Sequence, residues 1–505
     1  MKTHYLLFVA LSIILFSCKN QDDPIPETTE VSINGNYFSP TESSALKTGD
    51  GFIVVFKEKT KTITIRTNDT ITGTYSVVLQ SLKSASTLKA NLTYFDGSTE
   101  YKGNDGTFRI TKKEGNLIAG IYNSKVISDK GLALNIESGS FIDVQITALL
   151  PNETAIQENL VTCYSNLYEY IQLSYLFDAV YSNEISAPNS SWTEIYNHAQ
   201  TSSTDNEKIL MLWGNGYAII HKINLILESS ELVISDELIR NAITAQAKAI
   251  RAYLFYNLMT WFGEIPVVTG ILENTNPRIK IAEVVAQIKD DGSSAALNLP
   301  IKWTSADNFR IPKSFAFGIL ARVNLTDFQL PTTWPPSQQY LYSSIYNESV
   351  LAAQQIINSG YYTLENGTNN FTVSDREIIW GFEKKNNTEF NSFFNKGTYV
   401  PVLRLTEIYL ILSEAQIQAG KQTDAVSYIN QLNYRSGRNN VTSITPNEIF
   451  QLWNTELMLE GSLFITKRRF NKALALVQND PKRILLPVPR TFLSKNPNLT
   501  QNPGY

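Results

Sequence analysis

Acids are plentiful in this chain, but little in it is patterned for nucleophilic or metal chemistry. Of three histidines, His4 sits in an apolar leader, which leaves His198 and His221. Two are too few for a histidine-rich metal site, and no H-E-x-x-H or paired-cysteine spacing supplies further ligands. Neither belongs to a nucleophile motif, and there is no G-x-S-x-G. Trp213-Gly214-Asn215-Gly216 lacks the third glycine of a dinucleotide loop, and Gly420-Lys421 lacks the upstream glycine of a phosphate loop. The expectation is therefore no catalytic residue, no metal and no cofactor. One acidic pair can be read as a cation site, since Arg404, Glu407, Ile411, Glu414 and Gln418 share a helical stripe. The expectation adopted is an inter-helix ion-pair ladder, with Arg404 supporting Glu407 at i+3.

Aromatic side chains offer a different chemistry, stacking on a sugar ring with polar groups at its edge. Trp213, Trp261 and Trp453 fall inside helical patterns and are assigned to the core. Trp192 ends the loop 186–192, Trp334 lies in the Pro- and Thr-rich loop 330–336, and Tyr340 and Tyr342 follow. Trp192, Trp334, Tyr340 and Tyr342 are the candidate ligand contacts, each expected to be exposed.

The elements that must carry these residues fall into two regions. From about Val31 to Ile146 the apolar pattern has period two, as in Lys61-Thr62-Ile63-Thr64-Ile65-Arg66 and Phe141-Ile142-Asp143-Val144-Gln145-Ile146, and glycines punctuate the runs. Short alternating strands between turns predict a small antiparallel β-sandwich over 31–150. From about Pro151 the pattern is helical. Between Asp236 and Phe262 one stripe holds Ala242, Ala245, Ala249, Ala252, Tyr256 and Met259, and Ile243, Ala247, Ile250, Leu254, Leu258 and Trp261 form a second. Two adjacent stripes bury more than half of the helix, and Gly263 with Pro266 stops it. Helices are also expected over Pro401–Gly420 and Thr423–Gly437, joined at Gly420. Such antiparallel pairs are the unit of a tetratricopeptide-like array, so 151–505 is expected to be mainly α, a helical-pair superhelix.

Lys2 and the twelve-residue, largely apolar run Tyr5–Phe16 read as a signal peptide over 1–17, because a membrane span needs about twenty. Leu15-Phe16-Ser17-Cys18 resembles a lipobox, which implies a lipid-modified Cys18, with 18–30 as a polar tether rich in Asp and Pro. Cys163 is then alone and no disulfide framework exists. The net charge of −4 offers no basic face to nucleic acid.

The C-terminal region resembles the SusD/RagB family of outer-membrane nutrient-binding lipoproteins. The likeness is carried by Ile484-Leu485-Leu486-Pro487-Val488-Pro489 and Asn496-Pro497-Asn498-Leu499-Thr500-Gln501-Asn502-Pro503-Gly504-Tyr505. Arg404-Leu405-Thr406-Glu407-Ile408-Tyr409, Trp261-Phe262-Gly263-Glu264-Ile265-Pro266 and Glu456, Glu460, Gly461 and Arg469 extend it over roughly 152–505. Asn433 and Thr466 depart from it, at positions where an arginine and an acid are common. The resemblance implies a lipid-anchored, surface-exposed protein of the outer membrane that binds a glycan or oligopeptide. It also implies a partner, a SusC-like TonB-dependent transporter over which the protein sits as a lid. A structural or adhesive surface protein is the alternative.

Overall fold

The computed structural model describes residues 28–48, 51–79, 82, 87–271, 276–303, 307–325, 346–365 and 370–505. Cys18 and the segment carrying Trp334, Tyr340 and Tyr342 lie outside them. The chain divides between Ala148 and Leu149 into two compact units.

The first unit contains β1 Glu30–Ile33, β2 Asn36–Phe38, β3 Glu42–Lys47, β4 Phe52–Glu58 and β5 Lys61–Thr67. It continues with β6 Gly73–Val77, β7 Lys89–Phe95, β8 Glu100–Glu114, β9 Leu117–Ser128 and β10 Ala133–Ala148. These strands form one ten-stranded sheet. Beyond the order β10-β3-β4-β5-β7, strand β7 also pairs with β8, β8 with β9 and β9 with β10, so the sheet closes on itself. The small two-layer sandwich expected here is corrected to a large sheet closed as a barrel, which removes most free edges.

Alternation supplies the interior. Ile63 and Ile65 of β5 point inward with Phe56 of β4, and Phe108, Tyr122 and Phe141 fill the space between. Phe56 stacks on Tyr122 with centroids 5.3 Å apart, and Phe108 on Phe141 at 5.6 Å. Two glycines make that possible. A Cβ on Gly139 would lie 2.4 Å from the Tyr122 ring, and one on Gly120 2.6 Å from the Phe141 ring. Both sit inside strands, so they are clearance for aromatic rings and not the turns their spacing predicts.

The second unit begins with α1 Glu153–Tyr181, α2 Thr193–Tyr196, α3 Glu207–Val233, α4 Glu237–Phe262 and α5 Ile281–Asn298. Then come α6 Lys313–Leu325, α7 Tyr346–Asn358 and a two-stranded ribbon, β11 Ile378–Glu383 with β12 Tyr399–Arg404, separated by α8 Thr388–Phe393. The remaining helices are α9 Leu405–Gln418, α10 Gln422–Arg435, α11 Pro446–Glu456, α12 Leu463–Arg469, α13 Ala473–Leu476 and α14 Arg490–Lys495. Each long helix packs on its neighbour in the chain: α3 on α4, α4 on α5, α5 on α6, α6 on α7, and α9 on α10. The chain is thus one all-β unit followed by a mainly helical one.

Local signals explain the boundaries. Asp236 caps α4 by accepting from the Leu238 and Ile239 N–H groups, and Gly263 ends it at φ +72°. Every residue of the second predicted stripe is buried. The helix expected from Pro401 starts instead at Leu405. Pro401 holds Val400 extended, and 399–404 pairs with β11 as a strand.

Candidate functional site

Burial answers the question of nucleophilic chemistry first. The Cys163 thiol is pushed up to about 12 by burial, so it stays protonated and inert. His198 is buried and its Nε2 lies 2.7 Å from the Tyr181 carbonyl oxygen, while burial lowers its proton affinity and keeps the ring neutral. Among the described residues no group of three His, Cys, Asp or Glu side chains converges on a metal position.

The acidic stripe of α9 is a set of ion pairs between elements. Glu407 receives Arg322 of α6 through two bonds of 2.6 Å, and Glu414 receives Arg469 of α12 at 2.7 and 3.0 Å. Both carboxylates are therefore consumed by guanidinium forks. The expected support of Glu407 by Arg404 is corrected. Arg404, at the end of β12, reaches Glu377 at 2.6 Å and Glu460 at 2.8 Å. Lys396 adds a second cation on Glu460 at 2.9 Å. On α10 the cation is Arg435, two residues beyond Asn433, and it bonds Glu377 and Glu456. A cavity of about 40 Å³ beside these groups is lined by Asp178, Glu407 and Arg469 among others, carboxylates and a guanidinium already bonded within the protein.

Trp192 is the expected ligand contact that falls within the described residues, and its exposure is corrected. It closes a short 3-10 turn, Ser190–Trp192, begun by Asn189, and is fully buried. The Phe177 ring stands edge-on to it at 6.2 Å and the Lys208 ammonium lies 5.0 Å from its centroid. Its Nε1 donates to Glu389 at the start of α8, which also accepts from Asn189 at 2.8 Å. Burial opposes ionisation of Glu389, but the hydrogen bonds from Asn189 and Trp192 and the Lys208 charge outweigh it and hold the carboxyl below its ordinary value. Trp192 thus has no free face for stacking. It joins the loop after α1 to α8.

A loop tryptophan that the sequence reading did not weigh does line a cleft. Trp303 follows α5 and is half-buried, within a cleft of about 80 Å³ whose wall includes Lys302, Asn308, Arg310, Ser374 and Asp375. Trp380 and Ile379 of β11 and Pro312 form its apolar part. The Trp303 Nε1 donates to the Ile311 carbonyl at 2.8 Å. Its signal in the sequence was the one that marked Trp334, a tryptophan beside proline, threonine and serine between two helices.

Comparison with known proteins aligns with this geometry. Residues 139–325 match a SusD-like family described as starch-binding and associating with the outer membrane, and residues 332–483 match the SusD family. A SusD-like protein of Formosa agariphila is 31% identical over 134 residues, and the alignment covers 26% of each chain. The match thus spans about a quarter of that relative's length. Among solved structures, a SusD-like protein from Bacteroides fragilis superposes with a TM-score of 0.60 at 16% identity, covering 71% of this chain and 98% of that one. A laminarin binding SusD-like protein superposes with a TM-score of 0.60 at 18% identity, covering 70% of this chain and 100% of that one. At these identities the structures establish the fold of the helical unit.

Proposed function

The chain belongs to the SusD/RagB family, and on that premise we propose that it binds a nutrient glycan at the outer membrane and passes it to a partner transporter. The match of residues 139–325 to a starch-binding, outer-membrane-associated family carries this reading. The laminarin ligand named for one structural neighbour agrees with it. Anchoring is assigned to a lipid on Cys18, the partner is a SusC-like TonB-dependent barrel, and Trp334, Tyr340 and Tyr342 remain proposed ligand contacts. No described helix is long and apolar enough to cross a membrane.

Three measurements test this. Mass spectrometry of the N-terminal peptide is expected to find an acylated Cys18, and Cys18→Ala to release the protein from membranes lacking the transporter. Pull-down from outer membranes in mild detergent is expected to recover a β-barrel transporter, since a lid needs a large, mostly pre-shaped interface. A glycan array is expected to bind the full chain. Recovery of the protein alone, with no glycan bound, would leave the adhesive surface-protein reading ahead; binding confined to oligopeptides would change the ligand class and keep the role.

A further inference from the structure

The cleft at Trp303 combines features that internal packing does not require. Its indole is immobilised before any ligand arrives. The Nε1–Ile311 bond fixes one edge, and the Arg310 guanidinium lies 5.8 Å from the ring centroid. Arg310 is itself held by Asp307 at 2.9 Å and by Gln246 at 3.2 Å. The apolar base is equally fixed, because Trp380 of β11 donates its Nε1 to the Phe309 carbonyl at 3.1 Å. Also in the lining, the Asp375 carboxylate accepts the Thr372 N–H at 2.8 Å, and the Ser374 hydroxyl lies 2.8 Å from that of Thr372. A rigid aromatic beside fixed polar groups is the arrangement that spares a ligand the entropy cost of ordering its site.

Asn308 supplies what is unused. It is exposed, it lines the cleft, and its side-chain amide makes no hydrogen bond among the described residues. An amide presents one acceptor and a two-proton donor side by side, which suits two neighbouring hydroxyls. Charge narrows the ligand further. The charged lining residues are Lys302, Arg310 and Asp375, and Asp307, outside the lining, pairs with Arg310, so these four charges sum to zero and leave no excess cation to recruit an acidic sugar.

The geometry points to a carbohydrate subsite in this cleft, where Trp303 carries the face of one neutral pyranose ring and Asn308 bonds its hydroxyls. This rests on the reading of the chain as a glycan-binding protein. Stacking contributes beyond area burial, so removing the indole costs about tenfold in affinity.

The test uses the detergent-solubilised full chain and calorimetric titration with laminarihexaose, maltohexaose and an oligogalacturonide of equal length. At least one neutral hexaose is expected to bind, with affinity reduced about tenfold by Trp303→Ala and several-fold by Asn308→Ala, and largely kept by Trp303→Phe. Asn308→Ala is the folding control, since an exposed, unbonded amide has no structural role. A neutral hexaose bound equally by wild type, Trp303→Ala and Asn308→Ala overturns the subsite and leaves the glycan reading intact. Preference for the oligogalacturonide overturns the neutral ligand. Binding of none of the three by wild type overturns the glycan reading itself.

Discussion

The Trp192 indole donates its N–H to the Glu389 carboxylate at 3.3 Å, joining residues 197 positions apart. Through that bond the loop after α1 and the short helix α8 become one body, with the indole sealed between them. Trp192→Ala is therefore expected to destabilise the helical unit by about 3–5 kcal/mol, the range for deleting a large buried aromatic. Trp192→Phe, which keeps the ring and loses the N–H, should lose much less. Denaturant midpoints measure both. A Trp192→Ala protein with wild-type stability would mean the residue is exposed after all.

Arg404 joins β12 to two other segments. Burial opposes its charge, but Glu460 and Glu377 outweigh burial and hold the guanidinium protonated above its ordinary range. Arg404→Met removes the guanidinium that Glu377 and Glu460 share and leaves each with one buried cation, Arg435 and Lys396, so a loss of up to about 3–5 kcal/mol is expected. Adding Glu460→Gln to Arg404→Met should cost less than the sum of the two single losses, because the Arg404–Glu460 pair is lost only once, although Lys396 then also lacks its carboxylate. Urea denaturation of the single and double variants gives the comparison, and additive losses would argue against the coupling.

Glu184 gives the stability a pH dependence. Its carboxyl accepts the Leu459 N–H at 3.0 Å, and burial together with the nearby Asp178 raises it to about 7. Asp178 is raised by burial to about 6 while accepting the Leu463 and Phe464 N–H groups. Above the folded value Glu184 is ionised in both states, and the native state carries the penalty. As pH falls from about 7 toward the ordinary carboxylate range, the native state takes up the proton first and the penalty fades. Glu184→Gln mimics the protonated form. It is expected to raise the denaturation midpoint at pH 8 and to leave it unchanged near pH 4.5. A variant curve parallel to wild type across that interval would exclude Glu184 as the titrating group.

The two units have separate apolar cores. A fragment covering 149–505 should therefore unfold in one cooperative transition with mainly helical circular dichroism. Its C-terminal segment contributes its own closure. Asn502 donates to the Phe262 and Leu486 carbonyls at 3.0 and 2.7 Å, and Arg278 bonds Asn502 and the Thr500 carbonyl. Asn502→Ala takes the Asn502 donor from the Leu486 carbonyl, while Phe262 keeps its bond from Arg278 at 3.2 Å, so a loss of about 1–3 kcal/mol is expected. An insoluble fragment beside a well-behaved full chain would place the boundary elsewhere.

Local order was legible in the residues alone. The α4 stripes, the start near Asp236 and the stop at Gly263 are signals confined to one helix, and they read correctly because helix period and termination depend on neighbours within a few positions. Tertiary structure decided the rest. Alternation marks which face of a strand is apolar, but barrel closure depends on β9 meeting β10 and β10 meeting β3, pairings that no local pattern encodes. In β10 the alternation of 141–146 misleads, because the register shifts between Phe141 and Val144, with Asp143 at φ +50°, and both apolar residues turn inward. Arg404 was assigned to Glu407 by helix spacing, yet it stands on a strand and reaches Glu460, 56 residues away. Trp192 and Trp303 carry the same loop signal and have opposite fates. Sequence places a tryptophan in a loop, and only the elements folded against that loop decide whether the ring is sealed or left lining a cleft.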